Sequence, residues 1–295
     1  MKVKLYTVII SWNLKDETIA CIDSLINAGA PIDNIIVVDN HSSDDTVQVL
    51  KQQYNNSLVI LENQENLGYA GGANTGIKYA LSQSVQWVLI VNNDIVVSPS
   101  FYTELETALS YLPGIDIYAP LIFDYNQPSK IWHAGDRLIP LTLMTRGIDH
   151  RIIKPNRTII PVDLVNGCAM LVNRRVFEKI GFFSTHFFMY AEEVDFVYRA
   201  RLAGFKAGIA TKALIWHKIS LSSRDKPKTR YLKTVNQIIF YKTYAQLYQL
   251  PIMFFLSFVR LFYIAGKDIY HNQLHLITPL IKGWFYGWFI SQPKK

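Results

Sequence analysis

The chain has 295 residues, of which 50% are hydrophobic, 18% charged and 13% aromatic. That composition excludes a disordered chain and leaves room for one large domain or a domain with an appendage. Cys21 and Cys168 stand far apart, which excludes a disulfide framework and a cysteine-rich zinc site and points to a reducing compartment, the cytoplasm. A formal charge of +7 favours anionic partners such as nucleotides, lipid headgroups or nucleic acid, and by itself does not choose among them.

Met1 to Ser11 carries an apolar run, but Asn13, Lys15, Asp16 and Glu17 follow too soon for a signal-peptide core, so it predicts a first buried strand. Strand-like and helix-like stretches then alternate. Leu5 to Ser11, Ile35 to Asp39, Leu58 to Leu61 and Trp87 to Asn92 read as strands; Glu17 to Ala28, Asp44 to Gln53, Gly71 to Ser82 and Ser100 to Leu112 read as helices. Ser42 and Ser43 are candidate caps for the second helix, and Ser98-Pro99 for the fourth. Apolar runs separated by helices of this length predict βαβ units, hence an α/β fold with a Rossmann-like, mostly parallel sheet covered by helices on both faces.

From Ile115 to Pro161 the periodicity fades, and the stretch, with Trp132, His133, Asp136 and Arg137, reads as loop-rich and lining a site. Order returns over Val162 to Val172. Arg174 to Ile180 and Glu192 to Leu202 read as helices ended by Gly181 and Gly204, and Ala213 to His217 as a last core strand. Arg224, Lys226, Lys228 and Arg230 then form a basic linker. Pro251 to Ala265 and Leu274 to Ile290 are aromatic and apolar with scattered cations, the latter bounded by Lys294 and Lys295. Pro251 to Ala265 falls short of the roughly 20 residues of a spanning helix, so both segments predict amphipathic helices in a membrane interface, or a helical hairpin packed on the main domain. The expected division is a catalytic domain over 1–220 and a membrane-associating segment over 221–295.

In an open α/β sheet, ligands bind beyond the carboxyl ends of the strands, where several polar residues fall. Asp39 ends the second strand; its acceptor-only carboxylate suits the donating edge of uracil, thymine or guanine, or else it forms the turn before Ser42. Trp12 stacks on a base or belongs to the core. Gly68, Gly71, Gly72 and Gly76 lie between Asn66 and a helix start, where backbone can approach a ligand, but match neither G-x-G-x-x-G nor the phosphate loop. Asn92-Asn93-Asp94 places an acid at a strand mouth, enough for Mg²⁺ or Mn²⁺ when a diphosphate supplies further oxygens, or else forms a plain turn. Glu192, Glu193 and Asp195 open a helix, where the dipole favours carboxylates. Beside Phe187, Phe188, Met189 and Tyr190 they also suit a general base. His217 is a metal ligand or a core histidine.

Taken together, Val8 to Asn13, Ile36 to Asn40 with Ser42, Ser43 and Asp44, Asn66 to Asn74, Asn92 to Asp94, Asn166 to Val172, and Met189 to Phe196 with Arg199 resemble the family 2 glycosyltransferases of type A fold over about residues 5–217. The resemblance extends to the bacterial subgroup that includes rhamnosyltransferases of cell-surface polysaccharide assembly. It implies that Asp39 reads the base, that Asn93 and Asp94 form the metal and diphosphate element, and that Glu193 is the general base, with Glu192 and Asp195 as alternatives. The implied nucleotide-sugar site comprises Trp12, Asn13, Asp39, Asn66, Gly68, Gly72, Asn74, Asn92 and Asn93. The metal motif begins with Asn where the family carries Asp, so Asp94, diphosphate oxygens and His217 would hold the Mg²⁺ or Mn²⁺. With no Gln-x-x-Arg-Trp motif in the sequence, the resemblance favours transfer of one or a few sugars over processive synthesis.

The expected activity is inverting transfer of a sugar, rhamnose from a dTDP-linked donor or another from a UDP-linked one, to a hydroxyl of a polyprenyl-diphosphate-linked or cell-surface glycan. The protein is expected to be peripheral on the cytoplasmic face of the membrane and not to bind nucleic acid. The rival expectations are a nucleotidyltransferase making a nucleotide sugar, which would need a basic glycine-rich N-terminal loop, and a non-catalytic membrane adaptor.

Overall fold

The computed structural model describes residues 4–112, 114–154, 156–218 and 225–290. Arg224 of the basic linker and the terminal Lys294 and Lys295 lie outside the described residues. Two compact units form, one from 4–137, 147–188 and 192–218, the other from 138–146, 189–191 and 225–290.

The first unit is a twisted sheet with helices on both faces. Its first half alternates β1 (Leu5–Ser11), α1 (Lys15–Asn27), β2 (Ile35–Asp39), α2 (Thr46–Gln53), β3 (Val59–Glu62), α3 (Gly68–Ser82), β4 (Trp87–Asn92), a short β5 (Ile95–Val97) and α4 (Phe101–Tyr111). In chain order there follow β6 (Ile117–Asp124), β7 (Gln127–His133), β8 (Asp136–Ile139) and β9 (Met144–Gly147), which pair as a separate ribbon mostly within the second unit, then β10 (Ile159–Val162), β11 (Ala169–Asn173), α5 (Arg174–Ile180), α6 (Glu192–Leu202) and β12 (Ala207–His217). The strand order is β10-β12-β6-β11-β4-β1-β2-β3, with β5 on β12 and β7 on β6. The pairs β1/β2, β1/β4, β2/β3 and β6/β12 are parallel, whereas β11 runs antiparallel between β4 and β6.

Both faces are covered, so the central strands are continuous apolar runs. Val8 and Val38 turn to α3, while Ile9, Val37, Leu89 and Val91 join Leu25, Phe101 and Leu105 in the core on the other side, all essentially inaccessible. Burying each such side chain contributes about 1.5–3 kcal/mol. The chain runs outward from β1 to β3 and returns to β4 on the opposite side of β1. This reversal opens a crevice at the carboxyl ends of β1 and β4.

Residues 115–161 are not the loop-rich stretch the sequence suggests; they hold β6, β7 and β10, and β6 is buried along most of its length. Two features hide them. Pro120 interrupts β6, and the register with β12 shifts there, from Ala210 opposite Pro120 to Leu214 opposite Leu121, as a residue without an N–H requires. The exposed β7 has no apolar face to mark it. Likewise Val162 to Val172 is split between β10 and β11, and β12 begins at Ala207, its polar Thr211 and Lys212 having masked an 11-residue strand.

The expected caps also differ. The Ser42 hydroxyl accepts from the Asn13 amide (2.8 Å), and α2 starts at Thr46, whose amide donates to Asp44 (3.2 Å). Ser100, not Ser98, precedes α4. Gly181 and Gly204 end α5 and α6 at φ 77° and 89°, as expected of left-handed C-terminal glycines.

The second unit contains α7 (Lys226–Tyr244), α8 (Leu250–Tyr270) and α9 (Ile277–Phe285), the last ending in a wide turn over Tyr286–Ile290. Pro251 to Ala265 therefore lies within a 21-residue helix rather than a shorter one, long and apolar enough to cross a membrane. Asp268 continues that helix because Arg230 of α7 meets it at 2.9 Å. The indole N–H groups of Trp284 and Trp288 both donate to Ser257 (3.0 and 2.9 Å), tying α9 to α8. Ile252, Phe255, Val259, Phe262 and Tyr263 form an exposed apolar stripe on α8.

Close seating of α3 on the sheet makes a specific prediction. A Cβ at Gly76 would lie 2.3 Å from Val8 Cγ1 and 2.8 Å from Val38 Cγ2. Gly76→Ala should destabilise the protein by about 1–3 kcal/mol, read as a lower urea midpoint; an unchanged midpoint would contradict this packing.

Candidate active site

Parallel register aligns the polar residues at the crevice. Ser11 stands opposite Asp39, Ile10 opposite Asn92, and Asp39 opposite Glu62. Asp39 is 4% exposed; its Oδ2 accepts from the Ser42 amide at 3.0 Å, and its buried Oδ1 has no hydrogen bond among the described residues. Asp39 lines a cleft of about 690 Å³ with Ser42, Asp44, Lys51, Glu62 and Gln64. Neither Asp94 nor Glu193 lines that cleft.

A hydrogen-bonded path nevertheless joins Asp39 to the mouth of β4. Asn13 donates from its amide to Ser42, accepts on Oδ1 from the Ser43 amide (2.8 Å), and accepts on its carbonyl from Asn93 Nδ2 (3.4 Å). Asn13 and Leu14 are both left-handed, at φ 57° and 58°, a cost tolerated where the surroundings over-determine the backbone. Beside this turn Trp12 is 47% exposed, so it is a rim residue rather than part of the core.

Asp94 follows β4 and His217 ends β12; they meet because Ile95 pairs with His217. Asp94 is 1% exposed, and neither of its carboxylate oxygens has a hydrogen bond. His217 Nε2 lies 3.2 Å from Asp94 Oδ1 but out of line for a hydrogen bond, and neither ring nitrogen is bonded. Trp132 of β7 packs on that imidazole at 4.9 Å. Burying bare acceptors next to a bare imidazole is costly unless a further group satisfies them. A divalent cation completed by phosphate oxygens fits this donor set. No cluster of three or more His, Cys, Asp or Glu side chains among the described residues could hold a metal ion by itself. Asn93 Nδ2 donates to Thr18 Oγ1 (2.9 Å) and to the Asn13 carbonyl, which orients the side chain at the mouth of β4. The side-chain oxygen of Asn92 is buried with no hydrogen bond.

The three acids of α6 have different surroundings. Asp195 is 4% exposed and bound by Arg199 at 2.8 Å, while Arg199 also donates to the carbonyls of Ile180 and Phe182. That network holds the α5–α6 connection, so Asp195 is not placed to act as the alternative base. Glu192 is 5% exposed, and burial, followed by the charge of Glu193, pushes its carboxyl well above the ordinary range. Glu193 is half-buried and rests on Gly167, where a Cβ would stand 2.9 Å from its own. The Tyr69 hydroxyl donates to the Gly167 carbonyl (2.7 Å). Burial raises the Tyr69 phenol, and the charges of Glu192, Glu193 and Asp94 raise it further. Cys168 is likewise raised by burial, then by Asp94 and Glu193. The charges of Asp94 and Glu193 thus both act on Tyr69 and Cys168.

Other expected ligand residues serve the chain itself. Asn66 accepts from Asn40 (3.1 Å) and from the Gly68 amide (2.9 Å), and Asn74 pairs through both side-chain atoms with the backbone of Phe183. A Cβ at Gly72 would meet Ile10 and Asn40, and one at Gly68 would meet Phe188, so these glycines seat α3 on its neighbours. Sequence reasoning assigned Tyr69 and Gly167 no role of their own within their motifs, placed Trp132 only in a stretch lining a site, and did not show that Asn40 holds the 63–67 loop through Asn63, Asn66 and the Leu67 amide. Only Gly167, beside Asn166 in a polar break before an apolar strand, carried a local signal.

The family model described as glycosyl transferase family 2 matches residues 6–181. A low-salt glycan biosynthesis hexosyltransferase, Agl10, of Haloferax volcanii is 27% identical over 269 residues, covering 89% of this chain and 78% of that protein. The N-acetylglucosaminyl-diphospho-decaprenol L-rhamnosyltransferase of Mycobacterium tuberculosis is 27% identical over 217 residues, 65% of this chain and 69% of that one. Among solved structures, the mannosyltransferase PcManGT of Pyrobaculum calidifontis, with GDP-Man and Mn²⁺, aligns with a TM-score of 0.60 at 13% identity over 99% of this chain and 89% of its own. GalNAc-T7, with UDP, GalNAc and Mn²⁺, aligns at 0.60 and 15% identity over 82% of this chain, which spans half of that one. At these identities the structures speak for the fold alone.

Glu192 generates a pH-dependent prediction. A carboxyl raised in the folded state leaves stability intact below its ordinary value of 4.5 and erodes it as pH rises toward the raised value. Glu192→Gln should therefore raise the urea midpoint at pH 8 and change it little at pH 4. Urea unfolding at both pH values checks this.

Proposed function

The chain belongs to the family 2 glycosyltransferases, which act on nucleotide-sugar donors, and has their type A fold; from that premise we propose that it transfers one sugar, with inversion, to a lipid-linked glycan. The observation that carries the proposal is the buried, unbonded Asp94 carboxylate facing His217 at the strand reversal.

In this reading Asp39 accepts from the N3–H edge of uracil or thymine, with Trp12 and Asn13 at the rim beside it. Asp94 and His217 would hold Mg²⁺ or Mn²⁺, which when bound offsets the charge growing on the departing diphosphate. Glu193 is the general base because Asp195 is bound to Arg199, and Glu192 is more deeply buried, with its carboxyl raised by that burial. The acceptor hydroxyl gives its proton to Glu193 while its oxygen bonds to the anomeric carbon. The bond from that carbon to the nucleoside diphosphate breaks on the opposite side, and its electron pair leaves with the diphosphate.

The name of the mycobacterial relative supports L-rhamnose as the sugar and a diphospho-polyprenol as the acceptor's carrier. dTDP-rhamnose is thus the favoured donor, a UDP-sugar the alternative. The apolar stripe of α8, with Phe255 and Phe262 each more than 60% exposed, supports peripheral attachment to the cytoplasmic face of the membrane.

Glu193→Gln should lower transfer about 10²- to 10⁴-fold with nucleoside diphosphate affinity unchanged; wild-type turnover would move the base elsewhere. Asp94→Ala should abolish the Mn²⁺-dependent part of UDP or dTDP binding in calorimetry, and an unaltered metal response would remove Asp94 from that role. Replacing Phe255 and Phe262 with Glu should release the protein from sedimenting anionic vesicles. Equal sedimentation would exclude the α8 stripe as the attachment surface.

A further inference from the structure

A second cavity, of about 710 Å³, lies wholly within the second unit, and the transfer step above makes no use of it. Its walls combine two chemistries. Lys226, Arg230 and Lys233 follow one face of α7, and Arg260 faces them from α8. No Asp or Glu is among the described lining residues. Arg230 is met by the buried Asp268, and the Lys233 ammonium stands 4.7 Å over the Tyr190 ring. Lys226 and Arg260 have no ion-pair partner among the described residues. Four cations against one buried carboxylate leave a positive excess. The opposite wall is apolar, built by Met253, Leu261 and Ile264 of α8 with Leu280 and Trp284 of α9.

A small hydrophilic anion would leave the apolar wall unmet, and a neutral apolar molecule would leave the exposed cations Lys226 and Arg260 without an anionic partner. One class of occupant answers both: an anionic phosphate head joined to an apolar chain. We infer that this cavity binds the diphosphate ester of a long apolar alcohol, the carrier end of the acceptor, taking the diphosphate on Lys226, Arg230, Lys233 and Arg260 and the first part of the chain against α8 and α9. The inference rests on the transferase reading and supplies its acceptor with a site. Several cations converging on one cavity suit the adjacent phosphates of a diphosphate better than the single phosphate of a phosphatidylglycerol head. The same wall is tied to the segment that leads into α6. Tyr190 Oη and Thr229 Oγ1 are 3.2 Å apart, and Asn236 Nδ2 donates at 2.9 Å to the carbonyls of both Met189 and Tyr190. Tyr190 precedes Glu193 by three residues in the chain.

The test is calorimetry on the full chain, with dTDP saturating the donor site and farnesyl diphosphate as titrant. Farnesyl diphosphate should bind at least about tenfold more tightly than farnesol or inorganic diphosphate. The double variant Lys226→Ala, Arg260→Ala should weaken it at least about tenfold, whereas Lys226→Arg, Arg260→Lys should stay within about threefold of wild type. Lys226→Glu, at an exposed position, serves as a second variant should the double one misfold, and should also weaken binding. Wild-type affinity in folded alanine and glutamate variants would overturn the site. So would full displacement by phosphatidylglycerol vesicles at equal lipid concentration, which would assign the cavity to bulk headgroups. Donor hydrolysis without acceptor separates the two readings. A chain that hydrolyses donor but whose cavity variants bind farnesyl diphosphate normally overturns the cavity alone. Binding of farnesyl diphosphate by a chain that binds no nucleoside diphosphate overturns the transferase reading and leaves the cavity standing.

Discussion

The parallel register of β1 with its two neighbours sets the spacing of the polar strand ends at the crevice. Ser11 is opposite Asp39 on one side and Ile10 opposite Asn92 on the other, so the ends of β2 and β4 are two strand spacings, about 10 Å, apart. Between them the Asn13 turn bonds to Ser42 and Asn93 at once, holding both ends at fixed height. A one-residue slip of β1 would turn Val8 away from α3 and carry Asn13 out of reach of both. The seating of Gly76 against Val8 and Val38 makes that slip sterically costly.

Within this frame the acids are differentiated by what surrounds them. All of Asp39, Asp94, Glu192 and Asp195 are nearly inaccessible, yet only Asp195 is fully engaged by a cation. An unbonded buried oxygen costs about 1–3 kcal/mol, so Asp94 and Glu192 reduce stability where they stand. Such a cost persists when it serves binding or chemistry. On the proposed reading a cation with phosphate oxygens would be the partner missing at Asp94, and the half-buried Glu193 would be the acid that exchanges a proton with an acceptor.

The second unit divides its surfaces by helical periodicity. On α8, Phe255, Val259, Phe262 and Tyr263 face outward, while Met253, Arg260, Leu261 and Ile264 line the cavity. One helix therefore carries an exposed apolar stripe on one side and a mixed cationic and apolar cavity wall on the other. Gly283 and Gly287 let α9 approach α7 closely enough to close that space, since a Cβ at either would come within 3 Å of α7.

The sequence by itself determined the alternation of strand and helix through residue 112, the helix-ending glycines 181 and 204, and the placing of Asp39, Asp94 and the α6 acids at element ends. Those signals are local: apolar runs, turn residues and acid position within a few neighbours. It did not reveal β6, because Pro120 broke the run, or β7, because an edge strand needs no apolar face. Nor did it separate Asn66 and Asn74, which bond to their own chain, from residues left open to a ligand. Only the tertiary structure decided that Asp195 is spent on Arg199, that His217 comes up against Asp94 through the pairing of β5 with β12, and that Gly167 leaves room for Glu193. Each of those facts depends on partners between 4 and 123 residues away, and no local pattern in a chain encodes which distant side chain will occupy the remaining space.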